Sequence, residues 1–110
     1  MITNSRERLT SVSLSPLMRA CAIGHVSAVK HLIDEGADVN ERGPRGSTPL
    51  MFAVSGGHRD IVEMLLAQNE LDLSAREQGG WTAIDHAEAD RDFRLARILR
   101  ENVERRRRAH

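Results

Sequence analysis

Ser15-Pro-Leu-Met-Arg-Ala-Cys-Ala-Ile-Gly-His25 is written again, 33 positions on, as Thr48-Pro-Leu-Met-Phe-Ala-Val-Ser-Gly-Gly-His58. A third, worn copy comes after a further 34, Thr82-Ala-Ile-Asp-His-Ala-Glu-Ala-Asp-Arg-Asp92. Self-similarity at a fixed period of this size is the mark of a stacked-repeat architecture, in which each unit buries its apolar face against its neighbours. Such a chain builds an extended surface and usually has no enclosed pocket.

Each copy opens with helix-start chemistry. Ser15 and Thr48 are N-cap residues followed by Pro16 and Pro49, which lack only a donor that the first turn leaves unpaired anyway. Thr82 repeats the cap without the proline. The openings predict short helices over Pro16 to Ile23, Pro49 to Ser55 and Ala83 to Ala89. Leu17, Ala20 and Cys21 share one face, as do Leu50, Ala53 and Val54. In the third copy Ile84 and Ala87 keep that face, but Glu88 takes the last place. Gly24 and Gly57 then stop the helices, because glycine reaches left-handed dihedrals without steric cost. A second helix comes after each stop, predicted over Val26 to Asp34, Arg59 to Ala67 and Phe93 to about Arg107. Their stripes (Ala28, Val29, Leu32, Ile33; Ile61, Val62, Leu65, Leu66; Leu95, Ala96, Ile98, Leu99) are wide enough to be buried. Polar, Gly-containing linkers close the units at Glu41 to Ser47 and Ala75 to Trp81.

These motifs together resemble the ankyrin repeat. The family's Thr-Pro-Leu-His opening is matched by Thr48-Pro49-Leu50, its inter-helix Gly-His by Gly24-His25 and Gly57-His58, and its closing Gly-Ala-Asp-Val-Asn by Gly36 to Asn40. The resemblance runs from about Leu14 to Arg100. It implies an all-α solenoid of helix-turn-helix pairs joined by β-turn or hairpin-like loops. The expected division is an extension over 1–13, repeats over 14–46 and 47–80, and a capping repeat with an Arg-rich helical tail over 81–110. Three departures stand out. Met18, Met51 and Asp85 replace the opening His; Asn69 to Ser74 replaces the closing motif with one residue inserted; and the third unit places Glu88 and Arg100 on its outer side. That last exchange suits a terminal cap, whose outer face meets water. The 1–13 segment has little apolar content, so Leu17 is expected to lie poorly covered.

Composition bounds the function. One domain is expected from 110 residues, with 40% hydrophobic and 29% charged side chains and only Phe52, Trp81 and Phe93 aromatic. Net charge is zero, so the whole chain has no long-range pull on nucleic acid or membrane. From Asp90 onward, however, eight Arg face four acids. Cys21 is the sole cysteine, which excludes an intramolecular disulfide. No apolar run approaches the ~20 residues that span a bilayer. A cytoplasmic setting is the expectation, or a nuclear one if the Arg tail is a targeting signal.

Catalytic and metal chemistry find little support. His25 and His58 recur once per unit, which reads as a structural cap on a loop carbonyl. They also sit a repeat apart, roughly 10 Å, whereas zinc ligands lie near 2 Å from the metal. Asp85 and His86 are adjacent on a helix and do not face each other. Cys21 reads as a small core residue, and Gly43-Pro44-Arg45-Gly46 as a turn tip. No enzyme, cofactor or metal is expected. The run Arg105 to Arg108 reads first as a solvated helix end whose charge complements the helix dipole.

The resemblance implies a protein-binding module that uses its concave face, built from loop tips and first helices. The residues so placed are Arg19, Arg42, Arg45, Ser47, Phe52, Ser55, Arg76, Gln78, Trp81, His86 and Asp90. Phe52 occupies the slot of Arg19 and His86, and Trp81 that of Ser47, so both aromatics are expected to be exposed. The expected partner is a protein. Nucleic acid is disfavoured, and no membrane is implied. The chain itself is expected to be a monomer or a weak homodimer through its first repeat. The alternative functions are a nucleic-acid-associated or nuclear-targeted protein acting through the Arg-rich helix, and a self-associating structural segment.

Overall fold

The computed structural model describes residues 14–109; the extension expected over 1–13 lies outside them. Six helices form three antiparallel pairs: α1 (Pro16–Ile23) with α2 (Val26–Asp34), α3 (Pro49–Ser55) with α4 (Arg59–Leu66), and α5 (Ala83–Ala89) with α6 (Phe93–Arg108). No strand occurs among the described residues. The short helices stack α1 on α3 on α5, and α2 lies against α4.

The first-helix boundaries are set by their caps. The hydroxyls of Ser15 and Thr48 accept from the amides of Met18 and Met51. At Thr82 the cap is reciprocal, since the Asp85 carboxylate accepts from the Thr82 amide at 2.9 Å. A capping box satisfies two of the orphan donors at a helix start. Asp85, which replaces the expected opening His, is thus occupied by its own helix. Each first helix ends in a left-handed residue, Gly24 at φ 82°, Gly57 at φ 71° and Arg91 at φ 61°. The third is the only non-glycine of the set.

One continuous core runs through the stack. Val29, Ile61, Val62, Leu65, Leu95 and Leu99 are fully buried in it, each side chain contributing roughly 1.5–3 kcal/mol by leaving water. Ala20, Ala53 and Ala87 line the helix-to-helix seam, where small side chains permit close approach. Leu17 belongs to this core at 1% exposure. The expectation that it lies open is therefore corrected.

The third pair differs from the other two. Its second helix is 16 residues long, against 9 in α2 and 8 in α4. Glu88 and Arg100, placed outward, form an ion pair across the pair of helices. Arg106 turns inward. Its Nη1 donates to the carbonyl of Leu71 (2.9 Å), and its Nη2 to those of Leu66 (3.0 Å) and Gln68 (3.1 Å). These carbonyls lie at and just beyond the end of α4, where any helix leaves its last acceptors without partners of its own. The Arg run is thus not uniformly a solvated helix end: Arg105, Arg107 and Arg108 are exposed, and Arg106 is half-buried structure.

Candidate interaction surface

The linkers between pairs form two similar turns that lock on one another. In the first, the Gly43 amide donates to Ser47 O (2.8 Å); in the second, the Glu77 amide donates to Trp81 O (3.0 Å). Arg42 spans both loops, its Nη1 donating to Gly46 O (2.7 Å) and to Arg76 O (2.8 Å). At the tips the Gln78 amide donates to Arg45 O (2.8 Å). Asn40 adds a reciprocal pair, donating to Glu70 O (2.7 Å) and accepting from the Asp72 amide (2.8 Å). Arg76 repeats half of the Arg42 role by donating to Gly80 O (2.7 Å). Backbone groups held in this way cost little further ordering when a partner binds.

On this ladder the residues singled out from the sequence divide. Arg45, Ser55, Gln78 and Asp90 are exposed, as is Arg19 on α1. Arg45 sits at the tip with φ 58°, and no hydrogen bond or ion pair of its guanidinium occurs among the described residues. Trp81 is 45% exposed and meets His86 edge-on, with centroids 5.1 Å apart at 70°. Ser47 is half-buried in its turn. Arg42 and Arg76 spend donors on loop carbonyls. Phe52 differs from expectation: it is half-buried and packs on the core. Its helix, α3, is flanked by α1 and α5, so a large apolar ring in the middle pair finds neighbours on both sides.

Glu77 and His86 lie beneath Trp81. The Glu77 carboxylate accepts from the Gly79 amide (2.7 Å) and sits 3.8 Å from His86 Nε2, which has no hydrogen-bond partner among the described residues. Ser74 holds the Asp72 carboxyl below its ordinary range through its hydroxyl and amide, with Arg42 adding positive charge. The recurrent histidines hold backbone in place. His58 Nε2 donates to Ala22 O of the preceding pair at 3.1 Å, and His25 Nδ1 accepts from the Ala28 amide. Cys21 is buried, and its thiol is pushed up to about 12, first by desolvation and then by the Glu41 charge. A thiol held protonated in this way is a poor nucleophile.

Asn40, Glu77 and Arg106 were not singled out by the sequence. Asn40 and the Arg42/Arg76 pair did carry a signal, because similar polar residues recur at one linker offset. Arg106 carried none, since its acceptors lie 35 to 40 residues away.

A family profile described as ankyrin repeats (three copies) matches residues 9–107. The chain belongs to the ankyrin-repeat family. Among its relatives are mouse ankyrin repeat and SAM domain-containing protein 6, 46% identical over 88 residues, and bovine osteoclast-stimulating factor 1, 42% identical over 60. A rice protein named "Probable E3 ubiquitin-protein ligase XBOS33" is 41% identical over 85. These alignments cover 77%, 54% and 77% of this ankyrin-repeat chain. They cover only 10%, 28% and 16% of the relatives, so the shared part is the repeat region. Ankyrin repeats are in general non-catalytic modules for protein–protein interaction. Among the described residues no helix is long and apolar enough to cross a membrane.

Proposed function

We propose that this ankyrin-repeat chain binds a protein partner through its concave face, with Arg45 and Trp81 as the anchoring residues. The observation that carries the reading is the loop ladder itself. Hydrogen bonds from Arg42 and Gln78 hold the two turns against each other, and these turns carry an exposed guanidinium, unpaired among the described residues, and a half-exposed indole. Arg and Trp dominate interface energies when they are held in place and desolvated on binding. The matching partner surface carries a carboxylate for Arg45 and an apolar patch for Trp81. Arg19, Gln78, His86 and Asp90 form the polar surround.

The Arg-rich helix supports its alternative role less well. Arg106 is committed to backbone carbonyls, Arg107 lies 3.6 Å from Glu104, and Arg100 pairs with Glu88. An intracellular setting forms part of the proposal, and fractionation of cells expressing the tagged chain tests it.

The double variant Arg45→Ala/Trp81→Ala is expected to lose partners that the parent chain captures from lysate, with an unchanged helical CD spectrum. A folded double variant that retains every partner refutes the assignment.

A further inference from the structure

The two linkers of the stack lie in different surroundings. The first leaves α2, turns at Gly36 (φ 94°) and again at residues 38–41, where the Asp38 carboxylate accepts from the Asn40 amide, and so reaches Arg42. There the next loop lies beside it, bound through Glu70 O, the Asp72 amide and Arg76 O. The second linker carries the equivalent positions 34 residues on, Ser74 for Asn40 and Arg76 for Arg42. No third loop lies beside it among the described residues, because α6 continues straight to Arg108 where its sister helices stop. What remains is an open groove of about 390 Å³ between residues 71–76 and the last helix pair. Leu73, Ile84 and Val103 supply its apolar floor, and Arg76, Arg106 and Arg107 its basic rim.

We infer that this groove docks a short loop segment of a protein partner, one that carries carboxylates between apolar side chains. Two features argue for that occupant. The first is continuity: the groove is the next position of a loop-on-loop interface that the chain already forms once, where residues 70–76, with a turn at residues 73–74, lie against the first linker. Arg42 Nη1 donates both to its own turn and to the neighbouring loop, whereas Arg76 Nη1 donates to Gly80 O alone among the described residues. The second is charge. Arg76, Arg106 and Arg107 line the groove against one carboxylate, Asp72, which is already hydrogen-bonded to Ser74; the partners of Arg106 are neutral carbonyls, so its charge stays uncompensated, and Arg107 meets only the exposed Glu104. The volume lies at the small end of the range for ligand sites, enough for a short segment bound by main-chain contacts and two or three side chains. This site lies beside the last helix pair among the described residues and shares only Arg76 with the residues expected on the concave face.

The probe is the capped hexapeptide Asn-Glu-Leu-Asp-Leu-Ser, the chain's own residues 69–74, since a loop of that sequence lies against the first linker. It is titrated into the ¹⁵N-labelled full chain and followed by amide chemical shifts. Saturable shifts at Leu73, Ser74, Ile84 and Val103 are expected, with a Kd of the order of 100 μM that weakens with added salt. The same peptide with both acids replaced by their amides is expected to bind at least tenfold more weakly. Val103→Glu and Arg107→Glu are expected to lower affinity by a similar factor, and Arg45→Ala/Trp81→Ala to leave it unchanged. Should Val103→Glu unfold the chain, Arg107→Glu alone decides, because both ends of its ion pair are exposed. No saturable shift up to millimolar peptide overturns the inference. So do shifts confined to the concave face, or an affinity indifferent to Arg107→Glu.

Discussion

Replacing Arg106 by methionine removes donors from the carbonyls of Leu66, Gln68 and Leu71 while keeping most of the apolar stem. A hydrogen bond from a charged donor contributes about 1.5–3 kcal/mol. Three such bonds do not add here, because Nη2 serves two acceptors and a half-buried site lets water replace part of what is lost. The expected destabilisation is about 2–3 kcal/mol. With a urea m-value of about 1–2 kcal/mol per molar for a chain of this size, the midpoint drops by roughly 1–3 M. Arg106→Lys keeps the charge but not the planar fork, so it should retain the smaller part of the stability. The exposed neighbours supply the control: Arg105→Met and Arg108→Met are expected to stay within about 0.5 kcal/mol of the parent. If Arg106→Met behaves like those two, the arginine does not anchor the tail to the end of α4.

Three more outcomes are open to test. Gly24→Ala combines a strained φ of 82° with a Cβ placed 2.6 Å from the His58 ring, which must swing away and give up Ala22 O. It should cost about 2–3 kcal/mol, against about 1 for Gly36→Ala, where φ is 94° and nothing lies within 4 Å; equal thermal shifts would contradict this. Arg91→Gly relieves a non-glycine left-handed residue where the other pairs use glycine, and a gain of about 0.5–1 kcal/mol is expected in the same melts. The Cys21 thiol is neutral in both states below about pH 9. Above it only the unfolded chain ionises, so unfolding free energy falls by about 1.4 kcal/mol per pH unit towards the folded value of about 12. Urea midpoints between about pH 8 and 10.5 should lose that slope in Cys21→Ala, and a slope shared by both chains would assign it elsewhere.

Local chemistry was legible residue by residue. Ser15, Thr48 and Thr82 start helices where they were expected to, and α1, α2, α3 and α5 run over the predicted residues. Helix α4 ends at Leu66 rather than Ala67, and α6 reaches Arg108. Such differences lie at frayed ends, where the defining hydrogen bonds thin out. Phe52 was misjudged because the sister positions, Arg19 and His86, report what the slot tolerates and not what a large ring gains between two neighbouring helices. The candidate surface was legible as a set of loop positions. Which of them are occupied within the fold was not: Arg42 and Asn40 bind the next loop, whereas Arg45 and Trp81 remain available.

The amino-acid sequence by itself determined the period, the caps and the buried stripes, and with them the pairing and stacking of helices. Those features depend on contacts within a few residues or at one constant offset, and both repeat along the chain. The tertiary structure alone decided that Arg106 folds back on α4, that Glu88 meets Arg100, and that a straight α6 leaves a basic, apolar groove beside the second loop. Each of these joins parts of the chain with no shared pattern, once, at the third helix pair. A one-time contact leaves no periodic trace, so it becomes visible only when the helices are set in place.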